Sequence, residues 1–371
     1  MAKRDWRKKK KTKSDFQWGL FGLVSFLTLF GLLMVYNASV VEAYNVFGDK
    51  YHYLKNQSMW ALMGFILMLL ISKVNYNVFK KIAAPFFFIN LLLLAAVLIP
   101  GLGTSIKGAR RWLDLGFFVL QPSELVKLSF TIYLASWLSK ERKMLYFLFL
   151  IGLLSGLIVL EPDMGTLVVI LSNAFLLYFL SGTPLLLLLP LGLIAILGGS
   201  LMILSSPYRK TRLLTFLNPT RDPLGSSYHI RQVLIALGSG GILGLGLGQS
   251  RQKYEYLPEV TTDSIFAIIA EELGFFGAAL VVFVFLIIVL KGIQIARNAP
   301  DKFSKLLAAG ISGWIGIQVL VNLGAMVALI PLTGLPLPFI SYGGSSLVVV
   351  LSGVGVLLSI GKHPHNVKKL R

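Results

Sequence analysis

The sequence predicts an all-α, polytopic membrane protein: about ten transmembrane helices in one bundle, with a large extracytoplasmic loop after the seventh. Three observations lead there. Apolar residues make up 56% of the 371 positions and charged residues only 14%, and mean hydropathy is +0.76. Apolar runs of roughly 20 residues, each able to cross about 30 Å of hydrocarbon, recur along the chain. The longest polar stretch is a single segment, 205–262. This pattern excludes the two or three soluble domains that length alone would suggest. No internal repeat or low-complexity linker divides the chain, so residues 1–371 read as a single membrane domain. Cysteine is absent, which excludes disulfides, thiol catalysis and Cys-ligated metals.

Taken in order, residues 1–18 form a basic tail with eight cations, including Lys8 to Lys11 and Lys13. Cytoplasmic flanks carry excess Lys and Arg, so this tail is placed inside. The apolar run from Leu20 to Tyr36 exceeds the roughly 7–15 residues of a signal-peptide core and reads as a retained first span. Further spans fit at 57–73, 83–100, 121–139, 145–160, 165–181, 184–204, 263–291, 305–330 and 337–361. With both termini cytoplasmic, including the 362–371 tail, the inside segments hold 22 of the 35 Lys and Arg. The others are Lys50, Lys55, Lys107, Arg110, Arg111, the intramembrane Lys127, and seven in the large loop: Arg209, Lys210, Arg212, Arg221, Arg231, Arg251 and Lys253. Against those seven stand four acids, Asp222, Glu255, Glu259 and Asp263. So basic an outer loop breaks the positive-inside pattern, and an anionic ligand at the outer face accounts for it. On a soluble protein a net charge of +19 would point to nucleic acid; mapped onto this topology it does not.

The remaining motifs are polar islands at span ends. Gln121-Pro122-Ser123-Glu124 opens the fourth span, with Pro122 suited to a first helical position. Glu124 and Lys127 are three apart, hence on one helix face, and charges at membrane depth pair or face a cavity. A structural pair joining helices and a place beside the substrate both fit. Glu161 to Thr166 (EPDMGT) reads as a tight turn with a helix cap. Gly238 to Gly248 lacks both the P-loop and the dinucleotide spacing. It reads as a flexible or re-entrant segment, where glycine lets backbone approach closely or bend at membrane depth. Lys107, Arg110 and Arg111 precede Trp112 in a cationic outer loop, and Pro331 to Ser346 is a further irregular outer segment. With EPDMGT and the large loop these would form one groove. The four histidines, His52, His229, His363 and His365, make no HExxH or comparable cluster, so no zinc site is expected. Asp263 follows Thr261-Thr262 and precedes SIFAIIA, which locally reads as a helix N-cap. Glu271 and Glu272 lie about 12–14 Å deeper at about 1.5 Å per residue; buried there, they need partners among the loop cations or Lys127.

The stretches KGARRWLDLG, QPSELVKL, EPDMGT, FLNPTRDPLGSSYHIRQ, ALGSGGILGLGLGQSRQKYEYLPE, TDSIFAIIAEELGFFG and PLPFISYGGSS follow one another in that order. Over essentially its whole length the chain resembles the SEDS family of bacterial membrane glycosyltransferases, FtsW, RodA and SpoVE. GLGLGQSRQKYEYLPE looks closer to the division and sporulation branch, FtsW and SpoVE, than to RodA. The resemblance implies ten helices in the bacterial cytoplasmic (inner) membrane and an active site on the outer face. It implies polymerisation of lipid II, the undecaprenyl-pyrophosphate-linked disaccharide pentapeptide, in cell division or cell-shape maintenance. It also implies a cognate class B penicillin-binding protein (a transpeptidase) and other divisome or elongasome membrane proteins as partners. The family's essential acid falls on Asp263, and its intramembrane acid–base pair on Glu124 and Lys127. Where many relatives read His-Thr-Asp-Phe-Ile-Phe, this chain has Thr261, Thr262, Asp263, Ser264, Ile265 and Phe266. The acid is kept; the adjacent imidazole and aromatic are not.

Chemistry gives the same site a rationale. An attacking sugar hydroxyl must lose a proton, which a positioned carboxylate can take. A pyrophosphate leaving group needs cations or a metal rather than protonation. One acid and many cations therefore suffice, unlike the paired carboxyls of a glycoside hydrolase, and attack opposite the leaving group inverts the anomeric centre. The expected site has Asp263 as base, kept ionised by nearby loop cations. Lys107, Arg111, Arg212, His229, Gln232, Arg251 and Lys253 are the expected substrate-binding residues, the cations lying around the pyrophosphates. No residue pattern specifies a metal, though a divalent Mg or Mn would neutralise the same charge. Two rival functions use the same features: a lipid II flippase, whose path Glu124 and Lys127 would suit, and a non-catalytic scaffold for a transpeptidase.

Overall fold

The computed structural model describes residues 17–106, 109–114, 116, 118–140, 144–183, 188–204, 206–218, 222, 225, 227–254 and 256–363. The expected substrate ligand Lys107 and most of both terminal tails lie outside these. The described residues form twelve helices and one small sheet. The helices α1 (Trp18–Phe47), α2 (His52–Lys73), α3 (Tyr76–Val97), α10 (Ile265–Arg297), α11 (Lys302–Met326) and α12 (Gly344–Gly361) are long and apolar enough to cross a membrane. Between α3 and α10 lie four helices of 17 residues each, α4 (Pro122–Leu138), α5 (Met144–Leu160), α6 (Met164–Leu180) and α7 (Leu188–Leu204). That is the short end of spanning length. These ten helices occupy the ten predicted positions.

Several boundaries differ, for local reasons. α3 starts at Tyr76 rather than 83, because Asn75 accepts from the Asn77 N–H and caps it. α11 starts at Lys302 through a capping box between Asp301 and Ser304. α12 starts at Gly344 rather than 337, leaving 327–343 as irregular backbone.

Small residues let helices approach closely, which in lipid substitutes for a hydrophobic driving force. α12 lies against α2 in this way: a Cβ on Gly355 would stand 2.7 Å from the Met68 carbonyl oxygen. α4 is buried along nearly its whole length, and Trp314 of α11 fills the centre at 1% exposure. The outward faces of α5 and α10 expose Leu145, Phe149, Phe276, Phe283 and Leu286, as a bilayer-facing surface does.

The segments between the spans hold structure that hydropathy did not foresee. Around Arg111 the chain forms an antiparallel sheet, β1 (Gly103–Ile106), β2 (Ala109–Asp114) and β3 (Val119–Leu120). The large loop contains α8 (Pro207–Leu217) and α9 (Tyr228–Ser239). Ile230, Val233 and Ala236 are the buried stripe of α9, three apart, and α9 packs on α10.

The glycine run packs against a break in α10. α10 breaks at Gly274, which has φ +66. The broken helix recovers its hydrogen bonds from the run: Leu245 N–H to the Glu271 carbonyl at 3.0 Å, Gly246 N–H to Glu272 at 2.9 Å, and Phe275 N–H to Gly241 at 2.9 Å. Only glycine fits here, because a Cβ on Gly274 would lie 2.3 Å from the Gly244 nitrogen.

Candidate active site

Asp263 lies in the turn that carries the chain from the outer loop into α10, just before the span begins. Its backbone is fixed from two sides. Asn322 of α11 donates from Nδ2 to the Asp263 carbonyl at 3.0 Å and to the Leu335 carbonyl at 2.7 Å. The Ser341 hydroxyl donates to the Thr262 carbonyl at 2.5 Å, and the Tyr342 N–H to the Thr261 carbonyl at 2.8 Å. The segment after α11 therefore clamps the residues that present the acid.

The carboxyl is 5% exposed. It does not cap α10: the cap position belongs to Ser264, and no side chain makes a capping bond there. The carboxyl's hydrogen bond is with the Thr262 hydroxyl, at 3.4 Å from Oδ1. Burial, and then the neighbouring Glu259 charge, push Asp263 up to about 7 against the pull of its own backbone, Arg212 and Thr262. Arg212 favours the ionised form, as expected of a loop cation, but burial and Glu259 act against it. Lys253 and Arg209 are bonded elsewhere, and desolvation outweighs the pull of Arg212.

The expected substrate ligands separate into two groups. Arg212 on α8 and His229 on α9 lie at the acid. Arg212 acts on Asp263 and donates to the Leu332 carbonyl at 3.0 Å. The His229 Nε2 is 2.7 Å from the hydroxyl of Ser264, the residue after the acid, so an imidazole reaches this turn from α9 rather than from position 261. Gln232 lies three residues on from His229, on the same face of α9, and is half-buried. Arg251 is exposed, its N–H donating to Glu271 Oε1 at 3.2 Å.

Lys253 is committed within the protein, and Arg111 is partly so. Lys253 is 5% exposed. Its Nζ donates to Asn37 Oδ1 at 3.0 Å and to the Gly248 carbonyl at 2.5 Å, and lies 3.5 Å from Glu272 Oε1. Three partners use its three donors, which leaves it to position the glycine run. Arg111 donates from Nε to the Glu161 carbonyl at 3.0 Å, and its Nη2 to the Pro162 carbonyl, pinning β2 to the α5–α6 turn. In that turn Asp163 caps α6 as predicted. Glu161 is buried and pushed up to about 9 by burial and Asp163, against Arg111.

Residues 17–366 match the family described as cell cycle protein, FtsW/RodA/SpoVE. The chain belongs to that family. It is 42% identical over 363 residues to stage V sporulation protein E of Bacillus subtilis (strain 168), covering 95% of this chain and 98% of that one. It is 40% identical over 342 residues to a probable peptidoglycan glycosyltransferase FtsW of Geobacter sp. (strain M18), covering 90% and 93%. Among solved structures it superposes with a TM-score of 0.76 on a chain of a peptidoglycan synthase complex that coordinates polymerization and crosslinking, at 31% identity, covering 93% and 97%. The rod shape determining protein RodA of Thermus thermophilus gives a TM-score of 0.68 at 29% identity, covering 93% and 96%.

In this FtsW/RodA/SpoVE chain the predicted intramembrane pair forms. Lys127 Nζ lies 2.7 Å from Glu124 Oε1 and 2.9 Å from Gln318 Oε1, which also accepts from Trp314 Nε1 at 3.0 Å. Glu271 and Glu272 find Lys253, Ser250, Ser239 and Asn37 rather than Lys127. Among the described residues no group of three or more His, Asp or Glu could hold a metal ion. Sequence reasoning passed over Glu259 and Thr262 as site residues. Their signal was spacing: an acid and a hydroxyl within four residues of Asp263.

Proposed function

We propose that this chain is a peptidoglycan glycosyltransferase that polymerises lipid II into glycan strands at the outer face of the bacterial cytoplasmic membrane, with both termini inside. The observation that carries the reading is Asp263. It is a buried carboxyl with no capping duty, clamped by its backbone and shifted to about 7. General-base catalysis works best when the base titrates near the working pH. Asp263 takes the proton of the acceptor hydroxyl as the hydroxyl oxygen attacks C1 of the donor sugar. The bond from C1 to the pyrophosphate oxygen breaks, and charge develops on the leaving group. Arg212 and Arg251 are the cations suited to stabilise it, with His229 and Gln232 along the same α9 face toward the sugars. The family and its FtsW relatives support the activity. The solved synthase complex, in which polymerization and crosslinking are coordinated, supports a crosslinking partner, for which a class B penicillin-binding protein is our reading, with lipid II as the substrate.

The deciding experiment is lipid II turnover by the purified chain in detergent, where no leaflets exist and a flippase has nothing to report. Wild type is expected to make glycan strands and Asp263→Asn to make them about 10²–10⁴-fold more slowly, with lipid II binding retained. Strands made by Asp263→Asn at near wild-type rate would remove the acid from the chemistry. Topology has its own check. The cysteine-free chain accepts single cysteines at exposed Tyr256 and Lys302; an impermeant thiol reagent on intact cells should label the first and not the second.

A further inference from the structure

Glu259 is not glycine, yet it holds φ +54, a left-handed conformation that side chains adopt only where the surroundings impose it. A tight turn imposes it here. The Glu259 carbonyl accepts the N–H of Thr262 at 3.1 Å and of Ser264 at 3.2 Å. The turn sets three side chains in a row. Glu259 Oε2 is 2.9 Å from the Thr262 hydroxyl, and that hydroxyl is 3.4 Å from Asp263 Oδ1. Asp263 is buried, whereas Thr262 and Glu259 are half-buried. A hydroxyl has one donor and two acceptor lone pairs, so Thr262 can receive a proton from one carboxyl while giving its own to the other.

We propose that Thr262 and Glu259 form the exit path for the proton that Asp263 removes from the acceptor sugar, Glu259 being the group that returns it to water. The inference rests on Asp263 acting as the base. During transfer the acceptor O–H bond breaks and its proton goes to Asp263. The new C1–O bond forms, and the pyrophosphate departs with the electron pair of the old one. Asp263 then gives its proton to Thr262 Oγ1 as the Thr262 hydroxyl proton moves to Glu259 Oε2. Glu259 releases it to solvent, and the threonine and both carboxylates are restored. A base sealed from water needs such a path before each new turnover. The 3.4 Å leg is long for an O–H···O bond, which is usually about 2.7–2.8 Å; such contacts tighten when substrate binds. Neither Glu259 nor Thr262 touches the sugar; both act through Asp263. The other titratable or charged groups around the turn are Arg212 and His229, from α8 and α9, and Tyr342, Tyr53 and Glu42 on the side of the 327–343 segment, α2 and α1.

The test is the pH profile of strand synthesis from lipid II by the purified full-length chain, comparing wild type, Thr262→Val, Thr262→Ser, Glu259→Gln and Asp263→Asn at equal lipid II-binding concentration. Thr262→Val should lower kcat by about tenfold or more, at the weak end of acid–base effects, with little change in KM. Thr262→Ser should restore most of it, since it keeps the hydroxyl. Glu259→Gln should lower kcat by a similar factor and move the acid limb to lower pH, because the like charge beside Asp263 is gone. Wild-type kcat in Thr262→Val, a loss that Thr262→Ser does not recover, or an unmoved acid limb in Glu259→Gln would each overturn the path. If Asp263→Asn is inactive while those variants behave as wild type, only the path fails. If Asp263→Asn polymerises, the reading of Asp263 as base fails first.

Discussion

Glu124 and Asp263 are both nearly sealed from solvent, at 2% and 5% exposure, and the protein treats them in opposite ways. Glu124 stands on a helix with Lys127 at 2.7 Å, and Gln318 occupies the far side of the ammonium. Its neighbours are fixed by α4 and α11. Asp263 stands in a non-helical turn whose nearest charged neighbour, Glu259, has the same sign. A buried charge is costly unless paired. The first site meets that cost with a partner, and Gln318 of α11 ties the pair to a second helix. The second leaves the cost standing, and the result is a carboxyl that binds a proton near neutral pH. On the function proposed above, the paired acid is read as a strut and the unpaired one as the base.

The largest expected effect tests whether that division is real. Asp263→Asn should reduce turnover by about 10²–10⁴, the usual range for losing a general base, while the chain stays folded and binds lipid II. Glu124→Gln should do the reverse, weakening the fold more than the chemistry of whatever folded protein remains. If Glu124→Gln abolished turnover in a chain that melts like wild type, Glu124 would belong to the reaction and the contrast would collapse.

A second comparison lies inside the pair. Glu124→Ala strands the Lys127 ammonium, and Lys127→Ala strands the Glu124 carboxylate. Each should cost about 3–5 kcal/mol, because the remaining charge stays buried without its partner. The double change to apolar residues should cost less than the sum. A double-mutant cycle on thermal melting measures the coupling, and simple additivity would mean that the 2.7 Å contact carries no energy.

The strut was legible in the sequence and much of the base was not. The spacing of three between Glu124 and Lys127 on an apolar helix specifies one face, and helix geometry does the rest. The ten spans were legible for the same reason: hydrophobic runs have a period and a length. What escaped was set by distant contacts. Lys253 looks like any loop cation, but its partner Asn37 comes from α1, 216 residues away. Asp263 reads as an N-cap because Thr, Asp and Ser before an apolar run usually are one; the clamp by Asn322 and Ser341 turns the local chain so that Ser264 takes the position instead. The α9 imidazole at this turn comes from position 229, so no reading of residues 261–266 alone could supply it. The 103–114 hairpin escaped because its strands are four and six residues long and half-polar.

The smallest expected effect sharpens the contrast through pH. Asp263 binds its proton up to about pH 7 in the fold, whereas in an unfolded chain an aspartate releases it near pH 3.9. Between those values the native state holds a proton that the unfolded state has lost. Stability therefore falls as pH rises through this window, the sign opposite to that of a salt-bridged aspartate. The gap corresponds to up to about 4 kcal/mol when Asp263 is fully ionised, and to nothing below pH 4. Asn keeps the shape without the charge. Asp263→Asn should thus melt higher than wild type at pH 8, and the two should converge at pH 4 to the extent that the chain remains folded there. Glu124→Gln should show no such gain at pH 8, because it removes the partner of Lys127. Melting curves of the purified proteins at several pH values decide it. If Asp263→Asn is no more stable than wild type at pH 8, the acid is not held against its own desolvation, and its suitability as a base needs another cause.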